Sequence, residues 1–222
     1  MIETLINALA KENVALNDTQ ISQFEKYYQL LIEWNEKMNL TAITEPTEVA
    51  IKHFYDSITF LFHTYIKKCG KVIDVGTGAG FPGIPLKIMR PDIQLTLLDS
   101  LNKRLIFLQE VCDNIGIDAV IIHKRAEEGG RDKNLREKFD IATSRAVANM
   151  NTLSEYLMPF VKVKGKMVAM KGKNGDEELA NAKGAIKILN GEIVKCDEFL
   201  LPNGDERTII VVNKKSHTPM QY

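Results

Sequence analysis

The spacing of apolar positions changes partway along the chain, and the change marks its architecture. Between Ser22 and Met38 they fall at Phe24, Tyr27, Tyr28, Leu31, Trp34 and Met38, the 3.6-residue repeat of a helix with one buried face. Ser22 with Glu25 three residues on fits a capping box, and Asn17 or Asp18 fits a start one turn earlier. The aromatics of this stripe read as packing against the main body rather than as platforms for bases. The segment Trp34–Thr41 leaves the helix into a polar turn, Thr44-Glu-Pro-Thr47 restarts a helix, and His53-Phe-Tyr-Asp56-Ser57 precedes an apolar run from Ile58 to Phe62.

From Lys71 onward short strand-like runs at 71–75, 94–98, 119–122, 139–143 and 166–170 alternate with helical patterns at 84–90, 102–115, 151–158 and 176–189. Such alternation predicts an α/β fold, a parallel sheet covered on both faces. It then stops. Runs at 192–200 and 207–213, separated by Leu201-Pro-Asn-Gly-Asp-Glu206, predict an antiparallel hairpin. The expected architecture is a Rossmann-like, seven-stranded, mostly parallel sheet, unlike the six-stranded all-parallel dinucleotide fold. Residues 1–66 form an N-terminal helical extension and 67–222 the catalytic domain.

Candidate chemistry concentrates in Val72-Ile-Asp-Val-Gly-Thr-Gly-Ala-Gly-Phe-Pro-Gly83, a β-branched run, a glycine-dense turn and a helical start. Strand–glycine loop–helix units bind nucleotides through free N–H groups at the helix N-terminus. Asp74 ends the strand two residues before Gly76, so its carboxylate is expected to face the ligand and to disfavour an anion there. S-adenosylmethionine, with its ammonium, sulfonium and ribose, fits that demand. Gly78-Ala-Gly80-Phe-Pro-Gly83 also satisfies the dinucleotide pattern G-x-G-x-x-G, which keeps an NAD-dependent oxidoreductase as the rival reading.

Asp99 closes Leu95-Thr-Leu-Leu-Asp99-Ser100, nineteen residues after Gly80, where an acid can accept both ribose hydroxyls; it could instead cap the following helix. Ala126 and Glu127, at the third strand tip, are candidates for the base edge or else part of a solvated acidic turn. Arg145 closes the fourth strand, where active-site residues of such sheets collect. Lys162, Lys164, Lys166, Lys171 and Lys173 crowd twelve residues without an acid. With Arg145 and Arg207, Lys171 and Lys173 are expected to form a basic rim for RNA phosphates.

Charge adds one hint. Residues 1–66 hold four Lys and nine acids, and the remainder holds 25 basic and 20 acidic residues, so zero net charge hides a basic C-terminal part. Three widely spaced cysteines without C-x-x-C argue against a disulfide framework or zinc site and fit a reducing cytoplasm. No apolar run is long enough to span a bilayer. The four histidines show no metal-ligand spacing, no Asn/Asp-Pro-Pro-aromatic string suggests methylation of an amine, and no Pro-Cys pair offers a nucleophile. An acceptor needing no base, such as guanine N7, is favoured, with no catalytic side chain in the general-base sense.

The chain resembles the bacterial small-subunit rRNA methyltransferase G family, also called glucose-inhibited division protein B. The likeness runs through Trp34-Asn…Asn39-Leu-Thr41, His53…Asp56-Ser57, the Asp74–Gly83 loop continuing Ile84-Pro85, Leu97-Leu-Asp-Ser100, Ser144-Arg-Ala146, Lys171-Gly172 and Leu201-Pro…Arg207. It implies a class I methyltransferase fold and S-adenosyl-L-methionine-dependent formation of 7-methylguanosine in 16S rRNA, in the decoding-centre loop of the small ribosomal subunit. It implies cofactor contacts at Gly76, Phe81, Ala126, Glu127 and Arg145. With Asp74, Gly78, Gly80, Asp99 and Ser100 these make up the expected cofactor set. A small-molecule methyltransferase on the same fold is the alternative. A monomer needing no metal and no membrane is expected.

Overall fold

A computed structural model describes all 222 residues. The strands are β1 (Lys71–Val75), β2 (Gln94–Asp99), β3 (Ala119–His123), β4 (Phe139–Arg145), β5 (Val161–Lys171), β6 (Gly191–Leu200) and β7 (Glu206–Lys214). They form one sheet in the order β3-β2-β1-β4-β5-β7-β6. The first five pair in parallel, while β7 runs antiparallel to both β5 and β6. The hairpin's second strand is therefore slotted inside its first. This order excludes the all-parallel dinucleotide sheet.

Burial explains the strand sequences. The central β1, Lys-Val-Ile-Asp-Val, is enclosed at its last four positions because helices cover both faces, so apolar side chains run on without alternation. Edge strand β6 alternates half-buried and exposed residues, as one solvated face requires. Strand β5 is longer than the 166–170 expected and spans eleven residues. Because β5 bulges between its pairings with Phe139 and Ile141, Val161 to Met170 runs alongside only Phe139 to Arg145; at about 3.3 Å per residue that places Lys162 and Lys164 on the order of 20 Å from Lys171. The lysine cluster is contiguous only in sequence; Lys162 instead joins Lys67 on Asp140 at the far end of the sheet.

The N-terminal region comprises α1 (Ile2–Ala10), α2 (Asp18–Met38), the short α3 (Pro46–Glu48), a π-helical stretch (Val49–Tyr55) and α4 (Asp56–His63). Helix α2 starts at the earlier of the two candidate sites: Asn17 caps it, and Gln20 completes the capping box. Ser22 lies inside the helix. The stripe of α2 buries Phe24, Tyr27, Leu30 and Leu31 in one 26-residue cluster shared with the π-helical stretch, the glycine loop and α6 (Asn102–Ile115). A second cluster fills the opposite face of the sheet, and a third lies on the first cluster's face along β1, β4, β5 and β7. The remaining helices are α5 (Gly83–Met89), α7 (Ala126–Arg131), α8 (Met150–Leu157) and α9 (Gly175–Ile188). No helix is long and apolar enough to cross a membrane.

Candidate active site

Three contiguous cavities cross the C-terminal tips of the parallel strands. The first, about 320 Å³, is lined by Gly76, Asp99, Ser100, Ala126 and Glu127 among others. The second, about 430 Å³, shares Gly76, Asp99 and Ser100 with it and adds Gly78, Phe81, Thr41, His53 and Arg145. The third, about 330 Å³, shares His53 and Arg145 with the second and continues to Asp56, Lys171 and Arg207. Each falls in the range of small-ligand sites.

Two glycines of the loop have opposite surroundings. Gly78 has φ +61°, and a Cβ there would meet nothing within 4 Å. Its N–H donates to Asp99 Oδ2 at 2.9 Å. Bare backbone facing an open cavity is the cradle a nucleoside needs. Gly80 (φ +99°) faces inward, where a Cβ would lie 2.5 Å from Tyr27 Oη and 2.7 Å from Ile84 Cδ1. Tyr27 Oη donates to the Ala79 carbonyl at 2.5 Å, and its ring stacks on Phe81 at 5.5 Å. Gly80 thus lets α2 pack under the loop and lines none of the three cavities, where it was expected to face a ligand.

Asp74 also needs correction. It is fully buried and lines no cavity. Its Oδ2 accepts the Thr77 hydroxyl at 2.8 Å and the Gly83 N–H at 2.9 Å, so the carboxylate fastens the two ends of the loop from below. Oδ1 has no partner, and burial pushes the carboxyl up to about 6. A group so placed is sealed beneath the loop and does not face a ligand in these cavities. The carboxylate that lines the cavities is Asp99, whose Oδ1 accepts the Leu101 N–H at 2.9 Å and whose Oδ2 takes Gly78 N–H and, at 3.4 Å, Arg104. Helix α6 has Leu101 at its cap position and no side-chain cap, so Asp99 serves a turn and the cavities rather than the helix end.

Arg145 reaches from β4 across to the N-terminal region. Its Nη1 donates to the Lys52 carbonyl at 3.0 Å and to Asp56 Oδ2 at 3.2 Å, and its Nη2 donates to His53 Nδ1 at 3.2 Å. The guanidinium lies 4.9 Å from the centre of the Phe81 ring, on which His53 also stacks at 4.5 Å. Because arginine only donates, Nδ1 must accept, and the His53 proton sits on Nε2, 2.8 Å from Thr41 Oγ1. Burial first, and the Arg145 cation second, pull His53 down to about 3. It is a neutral, fully engaged ring.

The basic rim is only partly as expected. Lys171 turns inward to Glu178 and the Ala148 carbonyl, both at 2.7 Å, with 9% of its side chain exposed. Lys173 is 77% exposed and lies 3.4 Å from Glu206, outside the three cavities. Arg207 donates from Nε to Asp56 Oδ2 at 3.1 Å. Thr41, His53 and Asp56 were given no role from sequence, although they lie in the Asn39-Leu-Thr41 and His53…Asp56 strings. The i, i+3 spacing of His53 and Asp56 was the available signal, and only β4 and β7 show what they face. No cluster of three potential metal ligands occurs.

A family model described as rRNA small subunit methyltransferase G matches residues 20–209. The chain is 49% identical over 219 residues to ribosomal RNA small subunit methyltransferase G of Exiguobacterium sp., spanning 98% of this chain and 92% of that protein. It is 47% identical over 222 residues to that of Streptococcus uberis, spanning 99% and 94%. Among solved structures, a variant of MtNAS in complex with S-adenosylmethionine aligns with a TM-score of 0.58 at 14% identity, over 87% of this chain and 72% of that one. A putative methyltransferase from Bacillus halodurans aligns at 0.57 and 12%, over 73% and 100%. At those identities the likeness is one of fold.

Proposed function

Because the chain belongs to the rRNA small subunit methyltransferase G family, we propose that it methylates N7 of a guanine in 16S rRNA, in the decoding-centre loop of the small ribosomal subunit. S-adenosylmethionine, once bound, would supply an electrophilic methyl group, and guanine N7 has a lone pair to receive it and no proton to lose.

The observation that carries the reading is the continuity of the cavities. Ala126, Glu127 and Asp99 would hold the nucleoside end, with the empty space at Gly78 as its cradle, and the third cavity lies immediately beyond His53 and Arg145. His53 has no lone pair to spare, since Arg145 occupies Nδ1 and Nε2–H points to Thr41. Residues here align the reactants and exclude water rather than move a proton. Phosphates of the RNA meet Lys173 and Arg207, while Lys171 stiffens the cavity wall. The enzyme works as a metal-independent monomer in the cytoplasm.

The test is labelled S-adenosylmethionine with unmodified 16S rRNA or small subunits, mapping the methylated atom and following the saturated rate against pH. Transfer to guanine N7, without a rate limb set by a base near neutrality, is expected. A methyl on an exocyclic amine or a carbon would overturn the assignment. Lys173→Glu should weaken RNA binding and flatten its salt dependence; unchanged affinity would remove that contact.

A further inference from the structure

We propose that Asp56 reads the Watson–Crick edge of the target guanine, its Oδ1 accepting from N1–H and N2–H of a base seated in the third cavity. The inference rests on the guanine reading above and adds the residue that selects the base.

Asp56 opens α4, is 3% exposed and lines the cavity. Its Oδ2 is held by Arg145 Nη1 at 3.2 Å and Arg207 Nε at 3.1 Å, from strands β4 and β7 on two sides. Oδ1 accepts no hydrogen bond, yet it is not among the sealed side-chain atoms without a partner, which are Thr64 Oγ1, Asp74 Oδ1 and Thr143 Oγ1. It therefore opens into the cavity. The other carboxylate of the lining, Glu178, accepts from Lys171 and the Met150 N–H on Oε2 alone, and its side chain is a third exposed, so its second oxygen is solvated where that of Asp56 is enclosed. Asp56 is thus a nearly buried acceptor, fixed in orientation by two arginines, with one oxygen awaiting a donor.

Chemistry selects the donor. An ionised carboxylate only accepts. Guanine is the one RNA base whose Watson–Crick edge carries two adjacent donors; adenine and cytosine present a ring-nitrogen acceptor there, and uracil flanks its single N–H with carbonyls. A second consequence concerns rate. As N7 takes up the methyl, the purine becomes cationic and N1–H more acidic, so its bond to Asp56 strengthens toward the transition state. Asp56 gains this without taking the proton.

The experiment compares kcat/KM on reconstituted small subunits carrying guanosine or inosine at the target position, for the wild type and Asp56→Asn. Inosine keeps N7 and N1–H but lacks the N2 amine. The wild type should prefer guanosine by roughly tenfold or more, as for a lost hydrogen bond to a charged group. Asp56→Asn, which turns a donor toward the base or loses the charge, should bring that ratio toward one. Melting and calorimetric titration of S-adenosylmethionine accompany both. A purely structural Asp56 would lower both substrates by the same factor, and that result overturns the proposal. So does a wild type that treats the two bases alike, a comparison that decides even if Asp56→Asn does not fold. No transfer to guanosine N7 at all would overturn the function reading and this one with it. Transfer without discrimination overturns only the role of Asp56.

Discussion

Adding one methyl group at Gly78 or at Gly80 should give opposite outcomes. Both have positive φ, +61° and +99°, so alanine at either costs about 1–2 kcal/mol of backbone strain. At Gly78 nothing lies within 4 Å, and the strain is the whole stability loss. At Gly80 the new Cβ would also meet Tyr27 Oη at 2.5 Å, Ile84 Cδ1 at 2.7 Å and Leu108 Cδ2 at 3.0 Å. Overpacking of this kind adds roughly 1–3 kcal/mol, so Gly80→Ala should lose roughly 2–5 kcal/mol in all. At roughly 2–4 °C per kcal/mol for a chain of this size, that separates the two melting temperatures clearly. Cofactor affinity should order them the other way. The Gly78 methyl occupies the space assigned to the nucleoside, so Gly78→Ala should bind S-adenosylmethionine at least tenfold more weakly. Folded Gly80→Ala should bind it within a few-fold of the wild type. Thermal melts by circular dichroism and calorimetric titration below the melting temperature read both quantities. If Gly78→Ala binds normally, or melts as low as Gly80→Ala, the open space is not the cofactor's.

Asp99→Asn removes the charge behind two backbone N–H bonds and turns an amide donor toward one of them. It should cost on the order of 1.5–3 kcal/mol per affected bond and weaken S-adenosylmethionine binding at least tenfold. A lowered melting temperature with unchanged affinity would leave Asp99 only its turn. Acid stability tests Asp74 against His53. His53, ordinarily 6.5 but held at about 3, is uncharged in the folded protein, so its contribution to stability rises with pH across that window. Asp74, raised from 3.8 to about 6, binds the extra proton when folded, so its contribution falls as pH rises between those values. The two slopes oppose each other in the wild type. In Asp74→Asn the opposing slope is gone while that of His53, at most about 1.4 kcal/mol per pH unit, remains beside those of the paired carboxylates common to both proteins, so urea midpoints between pH 4 and 6 should drop more steeply with acid than in the wild type. Equal slopes would mean that Asp74 is ionised throughout that range.

The strands, most helices and the glycine loop were legible from the sequence because each rests on local physics. The β-branched runs, the 3.6-residue stripe of Phe24 and Tyr27, and the turn at Leu201–Glu206 state their periods within a few residues. The sequence also determined that Asp99 lies at a strand tip, because a strand must end where its run of enclosed side chains ends. It left π-helical Val49–Tyr55 and short α7 unread, since neither carries a full turn-by-turn stripe. Direction and partnership were decided by tertiary structure. Whether Asp74 faces a ligand or the underside of its own loop depends on where Thr77 and Gly83 return, nine residues apart in the longer case. Whether Gly80 serves a cofactor or a helix depends on Tyr27, more than fifty residues away. The lysines of β5 are neighbours in sequence but belong to opposite ends of a strand of eleven residues. Asp56 acquires its place only when Arg145 and Arg207 arrive from strands 89 and 151 residues later. A residue's period is set by its immediate neighbours, whereas a carboxylate's charge, partners and open lone pairs are set by whatever the fold brings against it.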